Sequence, residues 1–206
     1  MNISLVVITD GTRLESLQRT IKSTRGLTEE VVIVYQGRDQ QVYDKIHSMA
    51  TFSIMTTPKG NADPDRNWAY ELASGEWILA LDDDEHIDDA TAAFIARITL
   101  SKADVVWFKF KNYIDGVDIQ DILGDDPHPR LWRKRQGLIL WPSEAHAFPQ
   151  INSEMQYFTQ EACIMHDREY KDVLARHEGR MKVINQGNRE LEERFISSVK
   201  SKLGKK

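Results

Sequence analysis

Four short apolar runs, rich in β-branched residues, alternate with segments of helical spacing in the first part of the chain. The runs are residues 3–9, 31–35, 52–56 and 77–81. Runs that are apolar throughout are typical of strands buried on both faces, as in parallel sheets. Helical segments between such strands form right-handed crossovers. The order βαβαβαβ therefore predicts an α/β fold with a Rossmann-like, doubly wound, mostly parallel sheet.

Signals for helix starts agree with this order. Thr12 and Glu15 have the spacing of a capping box, which predicts that the first helix begins near Thr12. Asp63 followed by Pro64 predicts the start of the third helix, because proline suits the first helical position. Asp88 and Asp89 are expected to cap the helix that follows the fourth strand.

The second half of the chain has weaker patterns. Residues 104–114 alternate apolar side chains on one face, which predicts a strand in a mixed sheet. Residues 115–130 are rich in Asp, Gly and Pro and are expected to form a loop. Residues 130–133 and 137–141 are expected to pair as a hairpin, and residues 161–166 are the last strand candidate.

The end of the chain has the spacing of an amphipathic helix. We expect one domain over residues 1–175 and a helical tail over residues 176–206, in which Leu191, Phe195 and Val199 recur four apart. Apolar side chains at that spacing share one helix face. The tail is expected to dock on the domain or on a second copy of the chain as a homo-oligomer. Contact with a membrane surface is the alternative.

Charge and cysteine content exclude several classes of protein. The net charge is −5 at pH 7, which disfavours a general polyanion-binding surface. The single cysteine, Cys163, excludes an intramolecular disulfide and fits a reducing compartment. The N-terminus has no basic leader, and every apolar run is shorter than the roughly 18 residues of a spanning helix. We therefore expect a cytoplasmic protein without a transmembrane segment.

The fourth apolar run ends in a cluster of carboxylates, because residues 77–87 read WILALDDDEHI. Open parallel sheets bind ligands beyond the carboxyl ends of their strands, where Asp82, Asp83 and Asp84 are expected to lie. Clustered carboxylates repel one another and lose solvation, so they need a compensating cation. Oxygen-only ligands suit Mg²⁺ or Mn²⁺, which typically bridges to a substrate diphosphate. The alternative is a solvated acidic turn that caps the next helix.

Residues 66–85, RNWAYELASGEWILALDDDE, resemble a segment of the GT-A-fold, family 2-type inverting glycosyltransferases. The family pattern is an Arg-Asn helix start, small residues, Ala-x-Gly-Glu, an apolar strand and an Asp-x-Asp motif. The matching residues are Arg66, Asn67, Ala73, Gly75, Glu76, Asp82 and Asp84. Residues 130–146 resemble the later Arg-Leu-x-Arg, Trp and His pattern of the family, and the resemblance covers roughly residues 3–166.

The resemblance implies a GT-A catalytic domain over residues 1–175 that transfers a sugar from a nucleotide-diphosphate sugar, with a UDP-sugar favoured, to an acceptor hydroxyl. It implies that Asp84 holds Mn²⁺ or Mg²⁺, with Asp82 near the ribose or the ion. The ion stabilises the charge of the departing nucleoside diphosphate. Arg66, Asn67 and Asp83 are carried over as residues of the donor site. Because the attacking hydroxyl loses its proton, one carboxylate is expected to act as general base.

Two strand ends depart from the family pattern. The second strand ends with Gln36 in place of an aspartate pair that meets the nucleobase, and Gln36 is expected to hydrogen-bond the base. The first loop has Thr9 and Asp10 where the family has Thr-x-Asn, and Asp10 is expected to take over a polar contact to the nucleotide. The alternative at both places is an ordinary turn.

The third departure concerns the general base. His146 is followed by Ala147, where the family often has its catalytic carboxylate. In an extended segment, Glu144 faces the same side as His146. We expect Glu144 to be the base, with His146 as its orienting partner or substitute. The alternative is a carboxylate at the rim of the site and a structural histidine.

Two further residues are candidates for the site. His166 ends the last strand candidate, and the resemblance implies contact with the metal or the diphosphate. A structural histidine is the alternative. Arg130 belongs to a basic cluster with Arg133, Lys134 and Arg135, and is expected to contact the diphosphate or the acceptor. For the other three, a solvated charged face is the alternative.

Two other functions compete with this interpretation. A sugar nucleotidyltransferase shares the sheet and the metal requirement, and residues 11–14, GTRL, are similar to part of its glycine-rich loop. The glycines that normally precede that part, and that let the backbone approach phosphates, are absent. A catalytically degenerate sugar-nucleotide-binding module is favoured by Ala147 and opposed by the intact acidic triplet.

Overall fold

The structure is a computed structural model that describes residues 2–59, 62–142, 148–181 and 186–205. Its elements are β1 (Ile3–Thr9), α1 (Leu14–Ser23), β2 (Glu30–Gln36), α2 (Gln40–His47), β3 (Phe52–Thr56), α3 (Asp63–Leu72), β4 (Trp77–Asp82), β5 (Glu85–His86), α4 (Asp89–Ile98), β6 (Val105–Ile114), β7 (Val117–Asp118), α5 (Gln120–Leu123), β8 (His128–Arg133), β9 (Ile139–Leu140), β10 (Gln150–Ile151), β11 (Gln156–Arg168), α6 (Tyr170–Met181) and α7 (Gln186–Lys202). The chain divides into two compact units, Met1–Lys109 with Pro127–Ile164 and Phe110–Asp126 with Met165–Lys206, and each is described by itself.

The first unit is built on the predicted parallel strands. β1 pairs in parallel with both β2 and β4, and β2 pairs in parallel with β3. β8 then joins β4 antiparallel, and β6 joins β8 antiparallel. The strand order is β3-β2-β1-β4-β8-β6-β11-β5. This arrangement confirms the predicted α/β fold with a large, mostly parallel sheet.

The four parallel strands end at the same edge of the sheet. Their last residues are Thr9, Gln36, Thr56 and Asp82. β8 runs in the opposite direction, and Leu131 of β8 pairs with Leu79 of β4. The early residues of β8, which include Arg130, therefore lie beside the carboxyl end of β4. We refer to this region as the carboxyl edge.

α3 covers one face of the parallel strands. Ala69, Tyr70 and Ala73 of α3 are buried in a core cluster with residues of β1, β2 and β4. Full burial of an aliphatic side chain contributes about 1.5–3 kcal/mol. This packing holds the start of α3, with Arg66 and Asn67, at the carboxyl edge.

The Ala-x-Gly-Glu part of the motif is explained by close packing before β4. Ala73 is buried at the end of α3. A Cβ atom on Gly75 would lie 2.8 Å from the backbone nitrogen of Ser4 in β1, which is too close for any side chain. Small residues at these positions therefore allow β4 to enter the sheet directly beside β1.

Helix starts differ in part from the prediction. α1 begins at Leu14, one residue after Arg13, and its N-cap has no side-chain hydrogen bond. The hydroxyl of Thr12 donates instead to Asp10 Oδ1 at 2.6 Å, so the predicted capping box is wrong. Of the expected pair Asp88 and Asp89, Asp88 is the cap, because its Oδ1 accepts from the Thr91 backbone N–H at 2.7 Å, and Asp89 is the first residue of α4.

Two predictions for the second half of the chain are wrong. Residues 130–133 and 137–141 do not form a hairpin with each other, because β8 pairs with β4 and β6, while β9 pairs with β10. Leu131 and Trp132 of β8 are buried. A strand in the middle of a sheet buries such apolar side chains more completely than a two-stranded hairpin does. Residues 115–130 are not only a loop, since they contain β7, α5 and the start of β8.

The second unit contains the predicted helix near the end of the chain. Ile196 and Val199 of α7 are buried in a core cluster with Ile114, Ile119 and Val173. An ion pair joins Lys202 to Asp121 and another joins Lys205 to Asp115. The later part of the apolar face of α7 thus packs within its own unit, whereas Leu191 is 64% exposed. Homo-oligomerisation through this helix stays a prediction. Across the described residues, no helix combines the length and apolarity that a membrane crossing requires.

Candidate functional site

Four consecutive acidic residues lie at the carboxyl edge, and the last three have little access to solvent. Asp82 ends β4, Asp83 and Asp84 form the turn, and Glu85 begins β5. Asp83, Asp84 and Glu85 are exposed by 2%, 4% and 1%. Buried carboxylates need counter-charges, and three arginines supply them here.

Arg13 bridges the two middle carboxylates. Its Nη2 lies 2.5 Å from Asp83 Oδ1, and its Nη1 lies 2.5 Å from Asp84 Oδ2. Charge-assisted hydrogen bonds of this kind are roughly twice as strong as neutral ones. One guanidinium therefore bridges two neighbouring carboxylates and reduces their mutual repulsion.

The loop after β1 holds Arg13 in this position. The Gly11 backbone N–H donates to Thr9 Oγ1 at 2.9 Å, and the Thr12 backbone N–H donates to Asp10 Oδ1 at 2.9 Å. Gly11 has a φ of +77°, which disfavours any residue with a side chain, and a Cβ atom there would lie 2.7 Å from the Tyr35 ring. The turn thus directs the next residues, including Arg13, back over the end of β4.

Thr9 and burial together shape the chemistry of Asp83. The Thr9 hydroxyl donates to Asp83 Oδ2 at 2.6 Å. Burial raises the pKa of Asp83 to about 7, although the bonds to Arg13 and Thr9 oppose this rise. Removal of a carboxylate from water favours its protonated form. The carboxyl group of Asp83 is therefore much less acidic than that of an ordinary aspartate.

Arg130 holds the two outer acidic residues. Its Nε lies 2.8 Å from Glu85 Oε2 and its Nη2 lies 2.6 Å from Glu85 Oε1, which is a bidentate pair. The same Nη2 lies 3.4 Å from Asp82 Oδ2. Arg130 is thereby directed at protein carboxylates, and its expected contact with a diphosphate stays a prediction.

Arg66 and Asn67 connect Asp82 to the segment that follows β9. Arg66 Nη2 lies 3.2 Å from Asp82 Oδ1, and its guanidinium carbon lies 4.8 Å from the centre of the Trp141 ring. The side-chain amide of Asn67 donates to the backbone carbonyl of Trp141 at 2.8 Å and accepts from the backbone N–H of Trp141 at 2.8 Å. Both residues of the Arg-Asn motif therefore hold Trp141 in place.

Replacement of Asn67 by alanine is expected to lower the free energy of unfolding by about 1–3 kcal/mol, because the peptide groups of Trp141 lose two hydrogen bonds. Urea denaturation followed by tryptophan fluorescence measures this change. Gln40→Ala is the matched control, since Gln40 is exposed and donates to Asp44 on the helix surface; its effect is expected to stay within about 0.5 kcal/mol. If the two substitutions lowered the free energy of unfolding equally, the contact between Asn67 and Trp141 would have no special role in stability.

Gln36 belongs to a second polar network at the ends of β2 and β3. Its Nε2 donates to Asp65 Oδ2 at 2.8 Å, and the Thr56 hydroxyl lies 3.3 Å from the same oxygen. Lys59 forms an ion pair with Asp65. An ionised carboxylate only accepts hydrogen bonds, so the amide nitrogen of Gln36 faces Asp65 and its Oε1 is the atom that can accept from a ligand.

The structure brings many of the predicted site residues together at the carboxyl edge. They are Thr9, Asp10, Gln36, Arg66, Asn67, Asp82, Asp83, Asp84 and Arg130. Glu144 and His146 lie outside the described residues. His166 lies in the second unit, where its Nδ1 is 3.1 Å from Asn112 Oδ1. The roles assigned to all these residues stay predictions.

Three residues of these networks were not singled out from the sequence. Arg13 lies four residues after the end of β1, and the capping-box spacing around it indicates only a helix start. Glu85 was seen only as one carboxylate in a run. Asp65 stands between the proline and the Arg-Asn motif, and its position in the sequence alone does not reveal its contact with Gln36.

The described residues do not by themselves form a closed metal site. Among them, no three His, Cys, Asp or Glu side chains are grouped in a way that would hold a metal ion. The acidic residues face arginines in the arrangement given above. A cation at this edge therefore needs ligands from another source, or a rearrangement of these side chains.

Known proteins resemble this chain in structure but not in sequence. No protein-family model and no curated protein sequence matches the chain. Among solved structures, the chain is similar to S. aureus TarS, a glycosyltransferase. For TarS 1–349 with UDP-GlcNAc, the TM-score is 0.60 at 21% identity over 82% of this chain and 59% of that one. For TarS 1–349 with UDP, the TM-score is 0.58 at 17% identity over 96% of this chain and 70% of that one.

A second comparison shows how much of TarS the chain represents. A longer TarS structure matches with a TM-score of 0.56 at 16% identity, over 95% of this chain and 43% of that one. The chain thus spans about 59% of the first of these structures and less than half of the longer one. At these identities the similarity concerns the fold alone, and the chain has a GT-A-like fold.

Proposed function

We propose that the chain is a metal-dependent, inverting glycosyltransferase of the family 2 type, which transfers a sugar from a nucleotide-diphosphate sugar to an acceptor hydroxyl. The observation that carries the proposal is the carboxyl edge, where Asp82, Asp83 and Asp84 lie among the guanidinium groups of Arg13, Arg66 and Arg130. Ligands of open α/β sheets bind at such an edge. A UDP-sugar is the favoured donor, in line with the UDP-GlcNAc and UDP complexes of TarS.

The carboxylate oxygens at the carboxyl edge fit a divalent ion that takes some of its ligands from the protein and the others from the substrate. Mg²⁺ is commonly bound by one or two carboxylates together with substrate phosphates, rather than by an all-protein cage. Asp84 and Asp82 offer such oxygens, and the guanidinium of Arg13 already occupies a cation position against Asp84. When bound, Mn²⁺ or Mg²⁺ would act as a Lewis acid that stabilises negative charge on the leaving diphosphate.

The residues of the chain itself contribute positive charge and position. Arg66 is held by Asp82 on one side and by the Trp141 ring on the other, so its guanidinium stays at the strand ends. A fixed cation near a diphosphate stabilises the charge that develops when the bond to the sugar breaks. Because the amide nitrogen of Gln36 donates to Asp65, its Oε1 is the atom that we assign as acceptor for the imino N–H of a uracil base.

The acceptor side of the proposal depends on the segment after Trp141. Asn67 holds both peptide groups of Trp141, and Glu144 follows three residues later. In our proposal Glu144 removes the proton from the acceptor hydroxyl, and His146 orients it. Positioning of the attacking group and its base contributes strongly to such reactions.

A thermal-shift screen of nucleotide sugars with and without Mn²⁺ tests the proposal. A ligand at about 100 times its Kd stabilises the folded state by about 2.7 kcal/mol. We expect UDP-sugars, including UDP-GlcNAc, to raise the Tm more with Mn²⁺ than without it. If no nucleotide sugar changes the Tm in either condition, the proposal is wrong.

Product analysis separates the proposed function from its two rivals. A glycosyltransferase that receives water in place of its acceptor releases UDP slowly, whereas a nucleotidyltransferase releases or consumes pyrophosphate. A degenerate binding module binds the donor and releases neither product. We expect slow release of UDP that requires Mn²⁺, and pyrophosphate turnover would assign the chain to the rival enzyme class.

A further inference from the structure

The guanidinium of Arg13 occupies the space beside Asp84 that a divalent ion bound to Asp84 would take. Its Nη1 lies 2.5 Å from Asp84 Oδ2, and its Nη2 lies 2.5 Å from Asp83 Oδ1. Two cations a few ångströms apart repel each other strongly where water is scarce. Both carboxylates are almost fully buried. A divalent ion and the guanidinium of Arg13 therefore cannot both bind favourably to Asp84.

We propose that Arg13 is a displaceable counter-cation, which offsets part of the charge of Asp83 and Asp84 until a divalent ion arrives with the donor diphosphate. This inference rests on the proposed function, because it assigns to Arg13 a role in how that site is loaded. Arg13 and the divalent ion exclude each other from Asp84, and the diphosphate provides the new partner for the released guanidinium.

Of the three arginines, Arg13 is the one suited to leave. Its side chain is 22% exposed, compared with 11% for Arg66 and 6% for Arg130. Within the described part of the chain, its buried Nε has no hydrogen-bond partner, whereas the Nε of Arg130 is bonded to Glu85. Arg13 also precedes the first residue of α1, so its side chain can move without disturbing a helical turn.

The exchange predicts coupling between the two ligands. A divalent ion alone has to displace a bidentate guanidinium, so its binding to the empty protein is weakened. With a diphosphate present, the displaced Arg13 gains phosphate oxygens, which suit its planar donors. Coupling between two ligands is reciprocal. UDP should therefore strengthen Mn²⁺ binding, and Mn²⁺ should strengthen UDP binding by the same factor.

Calorimetric titration of Mn²⁺ at one fixed pH, with and without UDP, tests this exchange. In the absence of UDP, Arg13→Gln is expected to bind Mn²⁺ about tenfold more tightly than the wild type. In the wild type, Mn²⁺ has to break the charged hydrogen bond between Arg13 and Asp84, and the variant lacks that bond. UDP should then strengthen Mn²⁺ binding less in Arg13→Gln than in the wild type.

Two control variants show whether the effect belongs to Arg13. Arg19→Gln removes the same charge from an exposed position on α1, and its Mn²⁺ affinity is expected to equal that of the wild type. Arg13→Lys keeps a cation at the site and should stay closer to the wild type than Arg13→Gln does. Thermal unfolding without ligands verifies that each variant is folded.

The outcomes separate the two proposals. If Arg13→Gln binds Mn²⁺ no more tightly than the wild type, the displacement by metal is refuted, even when the wild type releases UDP in a Mn²⁺-dependent way. If neither protein binds Mn²⁺, with or without UDP, the inference fails together with the metal requirement of the proposed function.

Discussion

Replacement of Arg130 by methionine is expected to lower the free energy of unfolding by about 3–5 kcal/mol, because it removes one partner of a buried ion pair. Glu85 is almost fully buried and both of its oxygens accept from Arg130, at 2.8 Å and 2.6 Å. Methionine fills much of the space of the arginine stem but leaves the Glu85 carboxylate without its bidentate partner. Urea denaturation measures the change.

Arg135→Met is the matched control for this prediction. Arg135 also pairs with an acidic residue, Asp104, but its side chain is 54% exposed. Exposed ion pairs contribute about 0–1 kcal/mol, so the control should change stability little. The double variant Arg130→Met with Glu85→Met removes both charges and should regain most of the lost stability. A loss for Arg130→Met as small as that of the control would show that the pair does not hold the edge together.

Asp84→Asn is expected to reduce Mn²⁺-dependent release of UDP from the donor by about 100-fold or more, because a bound divalent ion supplies several kcal/mol of charge stabilisation. The amide keeps the size of the side chain but lacks the charge that a divalent ion requires. Initial rates at saturating UDP-sugar, together with Mn²⁺ titration, measure the effect. Unlike Arg13→Gln, this variant should bind Mn²⁺ more weakly than the wild type.

Asp89→Asn serves as the control for the loss of one negative charge nearby. Asp89 is exposed in the first turn of α4, so the rate of UDP release should be close to that of the wild type. Unchanged affinity of Asp84→Asn for the UDP-sugar at saturating Mn²⁺ would contradict the assignment of Asp84 as the metal ligand.

The sequence predicted the parallel strands well because their pattern is local. β1 and β4 are buried along nearly their whole length, so their apolar runs stand out without knowledge of their neighbours. The cap at Asp88 was equally local, since a side chain bonds a backbone group three residues later. In such cases a few consecutive residues contain the physical cause of the structure.

The errors arose where distant residues decide the outcome. The 130–133 segment was expected to pair with the next apolar run, but the better partners are β4 and β6, which are far away in the chain. Thr12 has the composition of a helix cap, yet Asp10 captures its hydroxyl. The sequence pattern does not reveal the role of Arg13, because its partners Asp83 and Asp84 are 70 and 71 residues away.

The predicted site residues show the same division. The triplet Asp82, Asp83 and Asp84 was recognisable because carboxylates rarely follow a buried strand without a reason. The arginines that neutralise them were harder to assign, since charge pairs across a sheet depend on strand order. Arg130 reaches Glu85 only because β8 runs antiparallel beside β4.

The buried ion pair between Glu85 and Arg130 also means that the carboxyl edge can be completed only late in folding. Its two members come from β5 and β8, 45 residues apart. A nascent or truncated chain that stops short of β8 would have the acidic turn without the guanidinium that offsets it. Such a fragment would leave the Glu85 carboxylate without its buried partner. We therefore expect the proposed donor site to form only after β8 has joined the sheet.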